Sequence, residues 1–341
     1  MRKIRLGKSE LMVTSTSFGA LPIQRLTKEE AGRILRRAYE LGINYFDTAN
    51  AYTDSEEKIG YALSDVRENI VISTKSGGKD GETVIKHIEN SLRTMKTDYI
   101  DLFQFHNPAE MPKPDDGTGV YEAAAAMKEK GYVRHIGITN HRYKLAQEAV
   151  KSGLFETLQF PFSYISSSED IDLAKMCGEY DMGFIAMKGL AGGLLDNAKV
   201  CRAFFNQFDN VVPIWGIQAM WQLEEWIELE NNPPEMTGEM REIIERDKKQ
   251  LGTTFCRGCG YCLPCPAGIE IPTSARMNML LRRSPYKRYM TDEWYEKMHR
   301  IDNCIECRSC ASKCPYGLDT PNVLKSMLED YDEFYAVHKN D

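Results

Sequence analysis

The chain has 341 residues, is 42% hydrophobic and 27% charged, and carries a formal net charge of −7 at pH 7. That length favours one large and one small domain, and the apolar fraction excludes a disordered chain. The negative balance offers no grip on nucleic acid, no apolar run approaches the ~20 residues that cross a bilayer, and Met1–Lys8 contains no apolar stretch of a signal sequence. A reducing, cytoplasmic setting with neither nucleic-acid nor membrane partners is expected.

From about residue 11 to residue 232, short apolar runs alternate with stretches of helical period. The first strand-like run ends at Phe18-Gly19. The others span Ile43–Asp47, Ile70–Lys75, Ile100–His106, His135–Asn140, Thr157–Phe162, Gly183–Lys188 and Val211–Gly216. Between the first two, Thr27 to Leu41 repeats Ile34, Leu35, Ala38 and Leu41 at helical spacing, and Thr27 with Glu30 has the spacing of a capping box. Eight strand–helix units predict an α/β fold, a closed (β/α)8 TIM barrel over residues 1–232, rather than an open doubly wound sheet. Buried parallel strands read as apolar runs, so polar residues at their C-terminal ends stand out. Asp47, Lys75, His106 and Asn140 all occupy such ends and would converge on the mouth where barrels place their chemistry.

Residues 233–255 open on Pro233-Pro234 and continue as a charged amphipathic helix from Met236 to Gln250, a connector. Residues 256–341 predict a small, mostly helical domain, with helical patterns at Ile271–Leu281, Tyr286–Ile301 and Thr320–Val337. Two runs in it, Cys256, Cys259, Cys262, Cys265 and Cys304, Cys307, Cys310, Cys314, each close with Cys-Pro and hold eight of the 10 cysteines. The second run has the bacterial ferredoxin spacing, in which the fourth cysteine ligates the other cluster. Two such runs predict a pair of [4Fe–4S] clusters and electron transfer. Disulfides would need an oxidising compartment, and zinc usually pairs two short knuckles across a longer gap. The first run is one residue short before its last cysteine, which leaves open whether Cys265 is a ligand. Cys177 and Cys201 lie inside amphipathic patterns and read as packed thiols.

At its strand ends the chain resembles the aldo/keto reductase superfamily. The resemblance covers the barrel and rests on Phe46-Asp47-Thr48-Ala49-Asn50-Ala51-Tyr52 with Ser55-Glu56, Ser73-Thr74-Lys75, Phe103-Gln104-Phe105-His106 and Gly137-Ile138-Thr139-Asn140. It implies a catalytic tetrad of Asp47, Tyr52, Lys75 and His106 that interconverts a small-molecule carbonyl and alcohol. A free tyrosine has a pKa of about 10, so a neighbouring ammonium, Lys75, is needed to favour the tyrosinate. Asp47 would hold Lys75 charged and oriented, and His106 would donate to the carbonyl oxygen.

The resemblance also implies a nicotinamide site. Asn140 and Gln159 match positions that hold the carboxamide, and Phe162 falls where an aromatic ring stacks on the nicotinamide. Gly19 ends the first strand, while Gly189-Leu190 and Gly216 to Gln218 follow the seventh and eighth, where barrels often bind phosphate. The family often has a cation where this chain has Gln218, and Glu-Asn where it has Glu225-Trp226. NAD(P)H is thus the expected nucleotide with NADP preference in doubt, and a flavin or another organic carrier stays open. The C-terminal domain resembles the ferredoxin-type modules appended to some bacterial and archaeal aldo/keto reductases. Its Arg282, Arg283, Lys287 and Arg288 form a basic patch that could dock an acidic ferredoxin or flavodoxin. Clusters move one electron and hydride two, so the clusters either work through a carrier, reduce the substrate directly, or only staple the domain. The competing, non-enzymatic reading is a ferredoxin-like electron carrier or redox sensor using the barrel as a scaffold. An intact tetrad counts against it.

Overall fold

The computed structural model describes residues 1–251, 255–283 and 286–339. Residues 252–254 of the expected connector, residues 284 and 285, and the last two residues lie outside the described residues, as does the side chain of Arg283 from the expected basic patch. The chain divides into two compact units, Met1–Gly189 with Ala198–Met236, and Leu190–Asn197 with Thr237–Asp341.

The first unit begins with an antiparallel hairpin of β1 (Lys3–Arg5) and β2 (Met12–Thr14). Eight parallel strands follow: β3 (Ser17–Gly19), β4 (Tyr45–Asp47), β5 (Val71–Ser76), β6 (Ile100–His106), β7 (Val133–Thr139), β8 (Thr157–Pro161), β9 (Gly183–Met187) and β10 (Val211–Gly216). Each pairs with its successor and β10 pairs with β3, closing the barrel. The hairpin was not legible in sequence, because strands of three residues are too short to show a period. Its Ile4, Leu6 and Val13 pack with Tyr45, Leu102, Ile185, Val212 and Ile214 and plug one end of the barrel. Its turn sits against the start of β9, where a Cβ on Gly7 would lie 2.4 Å from Asp181 O and Gly183 N, and φ is +53°. Only glycine fits there.

Alternation along each strand sorts the interior into layers. Tyr45, Leu102, Ile185 and Val212 form the apolar end. Two residues on from Tyr45 and Leu102, the interior turns polar with Asp47 and Gln104, and Asp47 pairs in register with Ser73 and Lys75 with Gln104. The helix Lys28–Glu40 shows how the outer layer is set. Thr27 accepts from Glu30 N while the Glu30 carboxylate accepts from Thr27 N, the expected capping box, and Ala31, Ile34, Leu35 and Ala38 are buried. Such a cap stabilises a helix by about 1 kcal/mol.

In the second unit, helix Gly238–Leu251 starts where the Thr237 hydroxyl accepts from Met240 N. Helices Ile271–Ser274, Met277–Arg283, Asp292–His299, Ser309–Ser312 and Thr320–His338 follow, with short 3-10 turns at Tyr286–Tyr289 and Arg300–Asn303. The single helix expected over Tyr286–Ile301 is broken because Thr291 is extended (φ −113°, ψ 155°) and its side chain caps a new helix through Trp294 N. Helix Thr320–His338 packs on Ile271–Ser274, Met277–Arg283 and Asp292–His299, and its buried Tyr331 donates to Tyr289 O at 2.7 Å. Among the described residues no helix is long and apolar enough to cross a membrane.

Candidate functional site

The expected tetrad assembles at the C-terminal ends of β4, β5 and β6. Beyond β4 the chain keeps pairing with β5, Thr48 N donating to Ser73 O and Asn50 N to Lys75 O. This tether brings Tyr52 over Lys75, whose Nζ lies 5.3 Å from the Tyr52 ring centroid. Lys75 Nζ donates to Asp47 Oδ2 at 2.6 Å and to Thr48 O at 2.5 Å. The Tyr52 and His106 rings meet edge to face, centroids 5.8 Å apart. All four groups therefore face one volume, with the ammonium between carboxylate and phenol.

Burial sets their charge states. It pushes the Lys75 ammonium below its ordinary value, while Asp47, and Glu56 behind it, pull the other way. It also pushes His106 down to about 4, helped by the Lys75 charge, so the imidazole is neutral near pH 7 and keeps one N–H to donate. A supporting network was not anticipated. Tyr45 Oη donates to Ser73 Oγ at 3.0 Å, and Ser73 Oγ donates to Asp47 Oδ1 at 2.6 Å. Gln104 Nε2 donates to Gln159 Oε1 at 2.9 Å. Buried Glu56 accepts from Thr74 and Ser91, both at 2.6 Å, and burial raises its pKa. Period-two spacing from Lys75 and His106 back to Ser73 and Gln104 is the signal that could have found the first of these.

The nucleotide positions fare unevenly. Phe162 is corrected: it is 1% exposed and its ring lies among Phe184, Phe204, Phe205 and Phe208, at 5.3 to 6.0 Å between centroids. Gln159 points into the barrel, so by alternation Phe162 points out toward helix Ala198–Phe205, and it has no face to offer a nicotinamide. On β9 the same alternation from buried Ile185 leaves half-buried Met187 as the inward apolar side chain at the strand end. Trp226, at the position expected against adenine, is instead stacked on Trp215 at 3.7 Å in the core. Gly189 is small because Trp215 presses on it; a Cβ would meet Trp215 Cζ3 at 2.5 Å. Leu190 O accepts from Gly193, Leu194 and Leu195 N–H, so those amides close a turn. Asn140 joins two loops, donating to Pro108 O and accepting from Arg142 N.

Gly19 and Gly216 lie paired in register at the ends of β3 and β10. Beside them Gln218 Oε1 accepts from Arg25 Nη1 at 3.2 Å. Arg25 is 193 positions away in sequence and is brought beside Gln218 by barrel closure. The amides of Gln218 and Ala219 are engaged by Gln222 Oε1.

In the second unit the cysteines cross over. Cys256, Cys259, Cys262 and Cys314 line one cavity, and Cys265, Cys304, Cys307 and Cys310, again with Cys262, line another. Cys265 thus sits with the second run despite the shortened spacer. Gly258 N donates to Cys256 Sγ at 3.4 Å. Burial raises the Cys256 thiol, and pushes Cys262 to about 12; metal binding must displace these protons. Each cavity is lined by at least four thiols. That donor set fits an iron–sulfide cube better than zinc, which draws thiolates to about 2.3 Å. None of the cysteines forms a disulfide, and Cys177 and Cys201 are buried as expected.

In the basic patch, Arg282 is clamped by Asp330 through two bonds of 2.7 and 2.6 Å. Arg288 lies over the Tyr289 ring.

Residues 14–231 match the aldo/keto reductase family, and residues 255–319 match a 4Fe-4S dicluster domain. The chain is 32% identical over 209 residues to the oxidoreductase YqkF of Bacillus subtilis (strain 168), covering 57% of this chain and 67% of that protein. It is 31% identical over 194 residues to the methylglyoxal reductase YeaE of Escherichia coli (strain K12), covering 52% and 64%. The chain therefore spans about two thirds of the length of these relatives. The aldo-keto reductase AKR11C1 from Bacillus halodurans, in its holo form, shares the fold with a TM-score of 0.63 and 24% identity, over 72% of this chain and 96% of that one. The protein is an oxidoreductase that belongs to the aldo/keto reductase family and carries a C-terminal 4Fe-4S dicluster domain.

Proposed function

We propose that the protein interconverts a small-molecule carbonyl and its alcohol, with Tyr52 passing the proton and the dicluster domain exchanging electrons. The observation that carries this reading is the Lys75 ammonium, held 2.6 Å from Asp47 and set against the Tyr52 ring. Reduction of a carbonyl adds two electrons and one proton at carbon, as hydride or its equivalent, and one proton at oxygen. The ammonium stabilises the tyrosinate left when Tyr52 gives up its proton. Asp47 opposes the burial that would strip Lys75 of its charge. His106, neutral, donates to the same oxygen without bringing a second cation. The methylglyoxal reductase among the relatives is in keeping with a small carbonyl substrate.

Two [4Fe–4S] clusters are proposed, one held by Cys256, Cys259, Cys262 and Cys314 and one by Cys265, Cys304, Cys307 and Cys310. Each supplies one electron when bound, so a pair matches one carbonyl reduction. A nicotinamide nucleotide is proposed at the mouth formed by Gly19, Asn140, Gln159, Gly216 and Gln218, with Arg25 as its phosphate partner. A structure of the same fold, an aldo-keto reductase from Klebsiella pneumoniae, is in complex with NADPH.

The test is reduction of a panel of aldehydes and ketones with NADPH, NADH and dithionite-reduced protein as separate donors, comparing wild type with Tyr52→Phe. The reading requires that Tyr52→Phe lose at least about 100-fold in kcat. Undiminished reduction by the variant would remove Tyr52 from its role.

A further inference from the structure

The loop that carries Tyr52 is fastened at its base and exposed at its tip. It joins β4 to helix Ser55–Leu63. Its ends, Thr48 and Ser55, are fully buried, whereas Ala51, Thr53 and Asp54 at the tip are exposed. Three hydrogen bonds close a ring at the base. Thr48 Oγ1 donates to Ser55 Oγ at 2.9 Å, Ser55 Oγ donates to Ala20 O at 3.0 Å, and Ala20 N donates to Asp47 O at 2.8 Å. The directions are forced, because the Ser55 hydroxyl gives its one proton to a carbonyl and so accepts that of Thr48.

The same two residues reach the tetrad through their backbones. Thr48 O accepts from Lys75 Nζ at 2.5 Å, and Ser55 N donates to Tyr52 O at 2.8 Å. One pair of hydroxyls therefore links the anchor of the ammonium to the backbone of the phenol. The tether along β5 ends at Asn50, two residues short of Tyr52.

The residue after Tyr52 shows that the tip needs holding. Thr53 has a φ of +41°, a left-handed conformation that a β-branched residue rarely adopts and that persists only where surrounding bonds enforce it. The bonds of the Thr53 side chain are exposed, Oγ1 reaching Gln24 Oε1 and Asp54 Oδ1 at 3.3 Å each. Asp54 is held in turn by Lys58 Nζ at 2.8 Å.

We infer that Thr48 and Ser55 are positioning residues, whose hydroxyl–hydroxyl bond clasps this loop and keeps the Tyr52 phenol over the Lys75 ammonium. This rests on the reading of Tyr52 as the proton donor. Both hydroxyls are buried and act through the loop rather than on substrate.

The test uses holoprotein labelled at tyrosine Cζ with carbon-13, so that the ionisation of Tyr52 is followed by NMR without any substrate. The Tyr52 resonance is assigned by its loss in Tyr52→Phe. In Ser55→Ala and in Thr48→Val, Tyr52 should titrate at higher pH than in wild type, because the phenol drifts from Lys75. With NADPH and methylglyoxal, kcat should fall about 10-fold or more in both while KM for NADPH holds. Ser91→Ala, on helix Gly81–Met95, removes another buried hydroxyl, one bonded to Glu56 at 2.6 Å. It should lower stability to urea while leaving the Tyr52 titration and kcat at wild-type values. If Ser55→Ala does not fold, Thr48→Val decides alone, since its side chain keeps nearly the same shape and leaves the Ser55 bond to Ala20. A Tyr52 titration that matches wild type in the clasp variants, or that moves as far in Ser91→Ala, would overturn the inference. Undiminished turnover by Tyr52→Phe would instead overturn the proton-donor reading, and the NMR titration keeps the two failures apart.

Discussion

Lys75 Nζ and Asp47 Oδ2 lie 2.6 Å apart with side chains only 1% and 3% exposed, an ion pair enclosed by the barrel. A pair so placed gains little net stability over an apolar replacement, but breaking it leaves one charge buried alone. Asp47→Asn should therefore destabilise the fold by about 3 kcal/mol. It should also drive the Lys75 pKa further down, since only Glu56 then opposes burial. Urea unfolding measures the first effect. Loss of carbonyl reduction, less severe at low pH where Lys75 stays protonated, measures the second.

His106 gives a pH signature. Its pKa falls from an ordinary 6.5 to about 4 in the fold. Between those values the unfolded chain binds a proton that the folded one does not. Stability from this group is therefore present above about pH 6.5, declines as pH falls, and levels off below about pH 4, a loss of up to about 3 kcal/mol. His106→Gln should show a flatter stability profile across that window in denaturant titrations. A wild-type profile as flat as the variant's would mean that the imidazole binds its proton in the fold as readily as in the unfolded chain.

Barrel, helical tail and tetrad were legible because each leaves a local mark. Apolar runs ending in Asp47, Lys75 and His106 announce strands and mouth together, and the cysteine spacing announces itself. What could not be read depends on closure or on direction. Arg25 meets Gln218 only because β10 pairs with β3. The outward turn of Phe162 was in principle available from its parity with Gln159, but the resemblance drew attention to residue type rather than to face. Trp226, considered only for its place opposite adenine, is held instead by Trp215, a stacking partner that sequence spacing does not show. Exchange of Cys265 and Cys314 between cavities is a matter of chain crossing, which spacing hints at and three dimensions display.

That crossing can be tested chemically. Cys314→Ala removes a ligand from the cavity of the first run, although it belongs to the second run in sequence. Iron and sulfide should fall from about eight to about four per chain. Cys265→Ala should spare the opposite cluster.

Arg25 donates to Gln218 at the proposed phosphate position. Arg25→Ala should weaken NADPH binding about 10-fold, equivalent to about 1.4 kcal/mol, with a smaller effect on NADH. Calorimetric titration reads both. Equal, unchanged affinities would place the phosphates elsewhere.

In the proposed reaction, electrons held at the cysteine cavities reach a carbonyl whose proton comes from Tyr52. The direct measurement takes protein reduced with dithionite, freed of reductant, and mixes it anaerobically with a carbonyl that the protein is known to turn over. Visible absorbance follows the clusters and product analysis counts alcohol. Wild-type clusters should reoxidise with one alcohol formed per two electrons, and Tyr52→Phe should stay reduced. Wild-type clusters that remain reduced while NADPH alone supports turnover would contradict it.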